Sequence, residues 1–320
     1  MQTMQNKKIL FITYDLSGYY DIIHEELQKN FHSVDYHNIA NLKFKYKNVF
    51  QKVYSGLYKL FTKRKLKNFY KLQPIVKSTI NKKYDYVLII RPDLFFDSQL
   101  KELKTRTDNF IAYYHDSINN ISRKKDVITF FDKVFSYEKK DVKDFKLNFI
   151  SNFIYLKDIE KKNATKTYNA FTIMSKDYRF DALLKMAEYL KSINIDYSFL
   201  VHSEKKNTSN LIEYTSTRKN NQQVLNYIKN SNIIVDIHKF GVQDGLTFRV
   251  FESLFFEKKL ITTNMDIKNY DFYNPNNIHV IKPEEDINIP NNFFSTPYES
   301  IDEEIYTKYH YTNWIKTILS

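Results

Sequence analysis

Residues Ser231–Asn264 read SNIIVDIHKFGVQDGLTFRVFESLFFEKKLITTN. The apolar stretch Ile233–His238 is too short for a helix and reads as a buried strand. A polar loop with Gly241 and Gly245 follows, Thr247 opens a helix that runs to Glu257, and Lys259–Thr263 is a second buried strand. Strand, loop, helix and strand in that order is the repeating unit of a parallel α/β sheet. A glycine-bearing loop that leads into a helix also gathers backbone N–H groups and the positive helix end in one place, which suits a diphosphate. Thr247 can add a hydroxyl donor there, and Arg249 a cation. Glu252 stands within the apolar run FRVFESLFF, where a carboxylate is costly unless it is paired or hydrogen-bonded. It is therefore a candidate acceptor for sugar or ribose hydroxyls. His238, beside Asp236 at the strand end, and the loop residues Gln243 and Asp244 complete this donor-side set. The plain alternative is that the glycine marks only a turn.

The same alternation extends in both directions. Upstream, Lys8–Tyr14, Val34–Asn38, Tyr86–Arg91, Phe110–His115 and Lys133–Tyr137 read as strands, with a helix over Tyr19–Gln28. Around Leu156–Thr167 the apolar signal stops, as in a linker. It restarts with strands at Ala170–Met174, Tyr197–His202 and His279–Ile281, and helices at Phe180–Ile193 and Gln222–Asn230. The tail Ser300–Ser320 again has a helical pattern. Strands that are apolar almost throughout belong to parallel sheets covered on both faces. The expected fold is α/β, with two Rossmann-like doubly wound domains facing a central cleft. The expected domains are 1–160 and 168–299, with a helix over 300–320 crossing back to the first. Ligands then belong just beyond strand ends. In the second domain these positions include Lys176 and Arg179, after the strand in FTIMSKDYR. In the first they include Asp15, His115 and Asp116, any of which could take a proton from an acceptor hydroxyl.

Composition narrows the function. The 320 residues include 4 glycines, so neither a GxGxxG fingerprint nor a Walker A loop can be built. With no cysteine there is no disulfide, thiolate nucleophile or Cys-bound zinc. No metal site is expected. The N-terminus lacks the apolar run of a signal peptide, and no stretch has the roughly 18 apolar residues of a membrane span. A cytoplasmic protein is expected.

The net charge of +12 is concentrated in one place. Between Tyr36 and Tyr84 there are 13 basic residues and no acidic one, and the remainder of the chain carries 36 basic against 37 acidic side chains. Within this segment Phe50, Val53, Tyr54, Leu57 and Phe61 recur on one helical face, with Lys45, Lys52, Lys59 and Lys63 away from it. Three partners fit: the protein's own core, an anionic membrane surface, or nucleic acid. No nucleic-acid-binding module signature is present, and no nucleic-acid partner is expected.

The run GLTFRVFESLFFEKKLITTN (Gly245–Asn264) resembles the donor-site segment of bacterial GT-B glycosyltransferases of the lipopolysaccharide and capsule type, including the CgeB-like group. FDKVFSYEKKDVKDF (Phe131–Phe145) and YYHDS (Tyr113–Ser117) are similar to other parts of these proteins. The resemblance implies a nucleotide-sugar bound by the second domain. Gly245 and Thr247 would then face the diphosphate, Arg249 would neutralise it and Glu252 would hold hydroxyls. Asp244 and Glu252 have the seven-residue separation of the paired acids in many retaining GT-B enzymes, but here the glycine directly follows the first acid. It further implies sugar transfer to a lipopolysaccharide, capsule or glycolipid acceptor without a metal, at the inner face of the cell membrane, with residues 36–84 on anionic lipid. Alternatives are transfer of a non-sugar unit such as glycerol phosphate, a non-catalytic basic binding protein, or a degenerate partner of another transferase.

Overall fold

A computed structural model of the chain describes residues 4–157, 168–204, 209–282 and 284–320. It divides into two compact units, Met1–Ile150 with Ile315–Ser320, and Ser151–Trp314. Most of the expected linker, residues 158–167, lies outside the described residues.

The first unit contains β1 (Met4–Thr13), α1 (Asp21–Asn30), β2 (Phe31–Asn38), α2 (Val49–Thr62), α3 (Leu66–Ser78), β3 (Tyr86–Ile90), α4 (Asp97–Lys104), β4 (Phe110–Tyr114), α5 (Arg123–Val127), β5 (Lys133–Ser136), α6 (Lys139–Phe145) and β6 (Asn148–Phe149). Its sheet has the order β2-β1-β3-β4-β5-β6, with every pairing parallel. Ile9–Ile12 of β1 and Val87–Ile90 of β3 are buried, as strands covered on both faces must be. The chain winds from β1 to β2 on one side and returns to place β3 on the other, so the order reverses between β1 and β3.

The second unit contains β7 (Ala170–Ser175), α7 (Phe180–Ser192), β8 (Tyr197–His202), β9 (Glu213–Thr215), α8 (Asn221–Lys229), β10 (Ile233–Asp236), α9 (Phe248–Phe255), β11 (Lys259–Thr262), β12 (Ile278–Val280), α10 (Asn291–Ser295) and α11 (Glu303–Lys308), and α12 (Tyr311–Leu319) follows. This sheet runs β12-β11-β10-β7-β8-β9, again all parallel, and reverses between β7 and β10. Its core is built by Leu183, Met186, Ala187 and Leu190 of α7 against Phe199, Val201, Val235 and Ile261 of the sheet. Asn220 and Gln223 form a reciprocal capping box at the start of α8, satisfying two N–H groups that the helix cannot pair itself.

One expectation changes, and one open alternative closes. The tail is not one helix: α11 and α12 are separated at Tyr309–His310, where the Tyr309 carbonyl and Tyr311 N–H are taken by the backbone of Ile154. The helix of the basic segment exists, but its apolar face does not pack into a core. Phe50, Leu60 and Phe61 are 85%, 77% and 87% exposed, and of all its residues only Ser55 is buried.

Candidate functional site

Doubly wound sheets bind ligands beyond the carboxyl ends of strands where the order reverses. In the second unit that place lies past β7 and β10. Asp236, the last residue of β10, is buried and accepts the hydroxyls of Thr247 at 3.0 Å and Thr262 at 3.1 Å. Thr247 precedes α9 in extended conformation and makes no side-chain cap to it. Its hydroxyl is turned to Asp236, which ties the helix start to the strand end. Asn264, just past β11, donates to the carbonyls of Asp244 and Gly245 at 3.2 and 3.4 Å, holding the loop from the other side. Gly245 itself is buried, and Gln243 closes a turn by donating its N–H to the Lys239 carbonyl.

Arg179 bridges the point of reversal. Its guanidinium forks onto Asp177 at 2.9 and 2.7 Å and donates to the Ile237 carbonyl at 2.7 Å. His238 follows directly, its N–H held by the Thr263 hydroxyl at 2.8 Å. The imidazole is only 5% exposed and its Nε2 has no hydrogen-bond partner. Burial lowers the His238 pKa, against the pull of Asp236 and a backbone hydrogen bond with Gly245, and nearby Arg179 lowers it further. The ring is therefore neutral at pH 7. A buried, unpaired ring nitrogen is uncommon in a finished interior. Lys176, by contrast, is exposed, with its ammonium over the Phe180 ring.

Glu252 is fully buried on α9. One carboxylate oxygen accepts the Tyr155 hydroxyl at 2.6 Å, and the other is ion-paired with Arg249. Arg249 and Glu252 thus largely neutralise one another. The sequence raised the cost of this carboxylate; Tyr155, distant in sequence and without any local signal, is half of the answer.

In the first unit, the carboxylate of Asp15 is occupied by its own loop. It accepts the N–H groups of Ser17, Gly18 and Tyr20 at 2.8, 2.9 and 2.7 Å. Gly18 has φ +79°, and an added Cβ would stand 3.2 Å from an Asp21 oxygen, so glycine is required for this turn. His115 shares a 2.7 Å hydrogen bond between Nδ1 and the Tyr20 hydroxyl, and burial lowers its pKa. Asp116 lies 3.7 Å from Arg91. Arg91, at the end of β3, is held at φ 71° by a two-pronged bond to Asp93. A non-glycine residue before proline seldom adopts this conformation, so strain is stored where the strand order reverses. Lys124 is wholly buried, bonds the Asp116 carbonyl and sits 5.0 Å from the Tyr114 ring centre. Burial pulls its pKa down to about 8.

Arg91 and Lys124 were not singled out from the sequence. Arg91 had one signal, a cation directly between a buried strand and a proline. Lys124, inside Arg123-Lys124-Lys125, had none. Among the described residues no group of three or more His, Asp or Glu side chains is gathered as a metal ion would need.

Several solved structures have a similar fold over nearly the whole chain. The apo form of the lipopolysaccharide outer core galactosyltransferase WaaB is similar with a TM-score of 0.57 at 12% identity, over 97% of this chain and 99% of that one. The fold is GT-B. The S. aureus MnaA–UDP co-structure (TM-score 0.51, 13% identity, 98% and 97% covered) and the UDP-N-acetylglucosamine 2-epimerase from Rickettsia bellii (0.51, 12%, 98% and 96%) are also similar. At these identities the likeness is one of fold. No family model and no curated protein matches the sequence.

Proposed function

We propose that this chain is a glycosyltransferase of the lipopolysaccharide and capsule type, near the CgeB-like group. It would move a sugar from a nucleotide-sugar to a surface-glycan or glycolipid acceptor without a metal ion. The observation that carries the reading is His238. Its buried, unpartnered Nε2 stands at the point of strand reversal, beside the Arg179 fork and the loop that opens α9. A diphosphate bound there would draw a proton onto Nε2, which would then donate to a phosphate oxygen, and Arg179 would offset the charge that develops on the leaving group. Gly245 and Thr247 would bring the positive end of α9 to the same oxygens. Lys176 would reach the rim. Glu252 is fully buried and paired with Tyr155 and Arg249, so it would position the Arg249 side chain rather than meet a ribose or sugar hydroxyl. Gln243 and Asp244 would border the sugar.

On the acceptor side, Asp15 serves its loop, which leaves His115 and Asp116 as the groups to take a proton. A lowered pKa keeps His115 in the form that can accept one. The expected domain roles are acceptor binding by the first unit and donor binding by the second.

The test is nucleoside-diphosphate binding by the full chain. UDP, GDP, CDP and ADP are screened by thermal shift and the best is titrated by calorimetry. At 100 times Kd a ligand adds about 2.7 kcal/mol, a rise of roughly 5–10 °C for a unit of this size. His238→Ala and Arg179→Ala should each weaken binding about tenfold or more. Transfer is then assayed from the matching nucleotide-sugar, with and without EDTA. If no diphosphate raises the melting point, or if both variants bind like the parent, the donor assignment is wrong. If the bound nucleotide-sugar is only isomerised, epimerase-like chemistry replaces transfer.

A further inference from the structure

In an ordinary surface helix the apolar stripe packs on the body and the polar residues meet water. Helix α2 is mounted the other way. It is a well-formed helix: Asn48 caps its start by accepting the Gln51 N–H at 2.8 Å, and Lys63 ends it in the left-handed conformation at φ 55°. At 100° per residue, Val49, Phe50, Val53, Tyr54, Leu57, Leu60 and Phe61 occupy one arc of roughly 140°. All seven are exposed. The side turned to the protein carries Gln51, Ser55 and Tyr58. The Ser55 hydroxyl receives that of Tyr46 at 3.3 Å, and the Tyr58 ring lies 6.3 Å from that of Phe96. A seven-residue apolar arc on one face is the kind of surface that a partner covers.

The surrounding charge identifies the partner. Lys52 and Lys59 border the arc, Lys43, Lys45 and Lys47 lead into the helix, and Lys63, Lys65 and Lys67 leave it, all of them exposed. No acidic side chain occurs between Tyr36 and Tyr84. A second copy of the chain would set like charges against each other around a shared apolar patch. A phosphate backbone would match the lysines and leave the phenylalanines in water. A lipid surface with anionic headgroups matches both. We infer that α2 is an interfacial anchor, lying in the plane of an anionic bilayer with its apolar arc at the acyl-chain boundary and its lysines on the headgroup phosphates. The inference deepens the proposed function and rests on it only in this respect, that a lipid-linked acceptor would lie in the same layer. It narrows the membrane contact expected of residues 36–84 to α2 and to the apolar arc that this helix exposes.

The test is flotation of the full chain with vesicles of equimolar phosphatidylcholine and phosphatidylglycerol, against phosphatidylcholine alone. The parent should bind the mixed vesicles at least tenfold more tightly. Phe50→Ser/Leu57→Ser/Phe61→Ser changes only exposed side chains and should lose most of that binding even in low salt. In Lys52→Gln/Lys59→Gln/Lys63→Gln/Lys65→Gln each substitution should remove up to roughly fivefold. Phe61→Trp emission should shift to the blue on mixed vesicles, because the native Trp314 is buried and should not respond. Equal binding to both vesicle types, full binding by the triple serine variant, or no spectral shift would overturn the anchor. So would a parent dimer in light scattering that the serine variant dissolves while vesicles are ignored. UDP binding without vesicles is unaffected by α2 on this account, so a failed anchor and a failed donor site are told apart.

Discussion

Replacing Glu252 by alanine tests how the candidate donor region is held together. The carboxylate is fully buried and has two partners, the Tyr155 hydroxyl and the Arg249 guanidinium. Removing one member of a buried ion pair costs about 3–5 kcal/mol, because the remaining charge is left without compensation. Two features move the expectation to the lower end. The Arg249 side chain is 18% exposed and can recover some water, and Tyr155 can still donate to Asn221 at 3.1 Å. About 3 kcal/mol is therefore expected, a fall of roughly 6–12 °C in the transition of the second unit. Glu252→Gln keeps an acceptor for Tyr155 but sets an NH2 donor against Arg249, losing the charge and that hydrogen bond together, so a cost close to that of alanine is expected. Calorimetry of parent, both variants, Arg249→Met and the double variant Glu252→Gln/Arg249→Met gives the coupling directly. A loss below about 0.5 kcal/mol for Glu252→Ala, the range of ordinary surface substitutions, would refute a buried, paired carboxylate.

Two further outcomes follow from the titratable groups. Burial lowers the pKa of both His115 and His238, so the unfolded chain takes up these protons more readily than the folded one. Stability should fall as pH drops below about 6.5 and be unaffected by these groups above it; His115→Gln and His238→Gln should each flatten that fall in melting curves between pH 5 and 7.5. Lys124 is pulled from 10.5 to about 8, so the parent should gain up to about 3 kcal/mol relative to Lys124→Met as pH rises from 8 to 10.5. Equal pH profiles for parent and variant would show that the ammonium is solvated.

The strands that decide the architecture were legible because each is an unbroken apolar run. Ile9–Ile12, Val87–Ile90 and Ile233–Val235 lie at the middle of their sheets and admit no polar residue. Strands β6 and β9 were not legible. They are edge strands of two and three residues with little burial, so composition carries no mark of them. The convergence of Arg179, His238 and Thr247 could be anticipated because strand order, not side-chain detail, brings strand ends together. The bonds that tie α9 and its loop to the segment before β7 could not. The Tyr155–Glu252 and Asn152–Leu246 bonds join positions about a hundred residues apart. Periodicity revealed α2 but not its orientation, since the periodicity is the same whether the apolar side meets the protein or something beyond it. Asp15 was found by its position after a strand. Its occupation with three N–H groups depends on the turn that Gly18 permits, which a list of residue types does not contain.

That aspartate has a wider consequence. In a Rossmann-like half the N–H groups after the first strand commonly receive the phosphates of a guest. Here the half built on β1 carries its own resident anion, fixed covalently to the chain and fully engaged. Two halves of similar architecture are thereby made unequal. One has filled its anion seat from within, and the other keeps an imidazole nitrogen waiting, so a single guest nucleotide per molecule is the stoichiometry that this asymmetry favours.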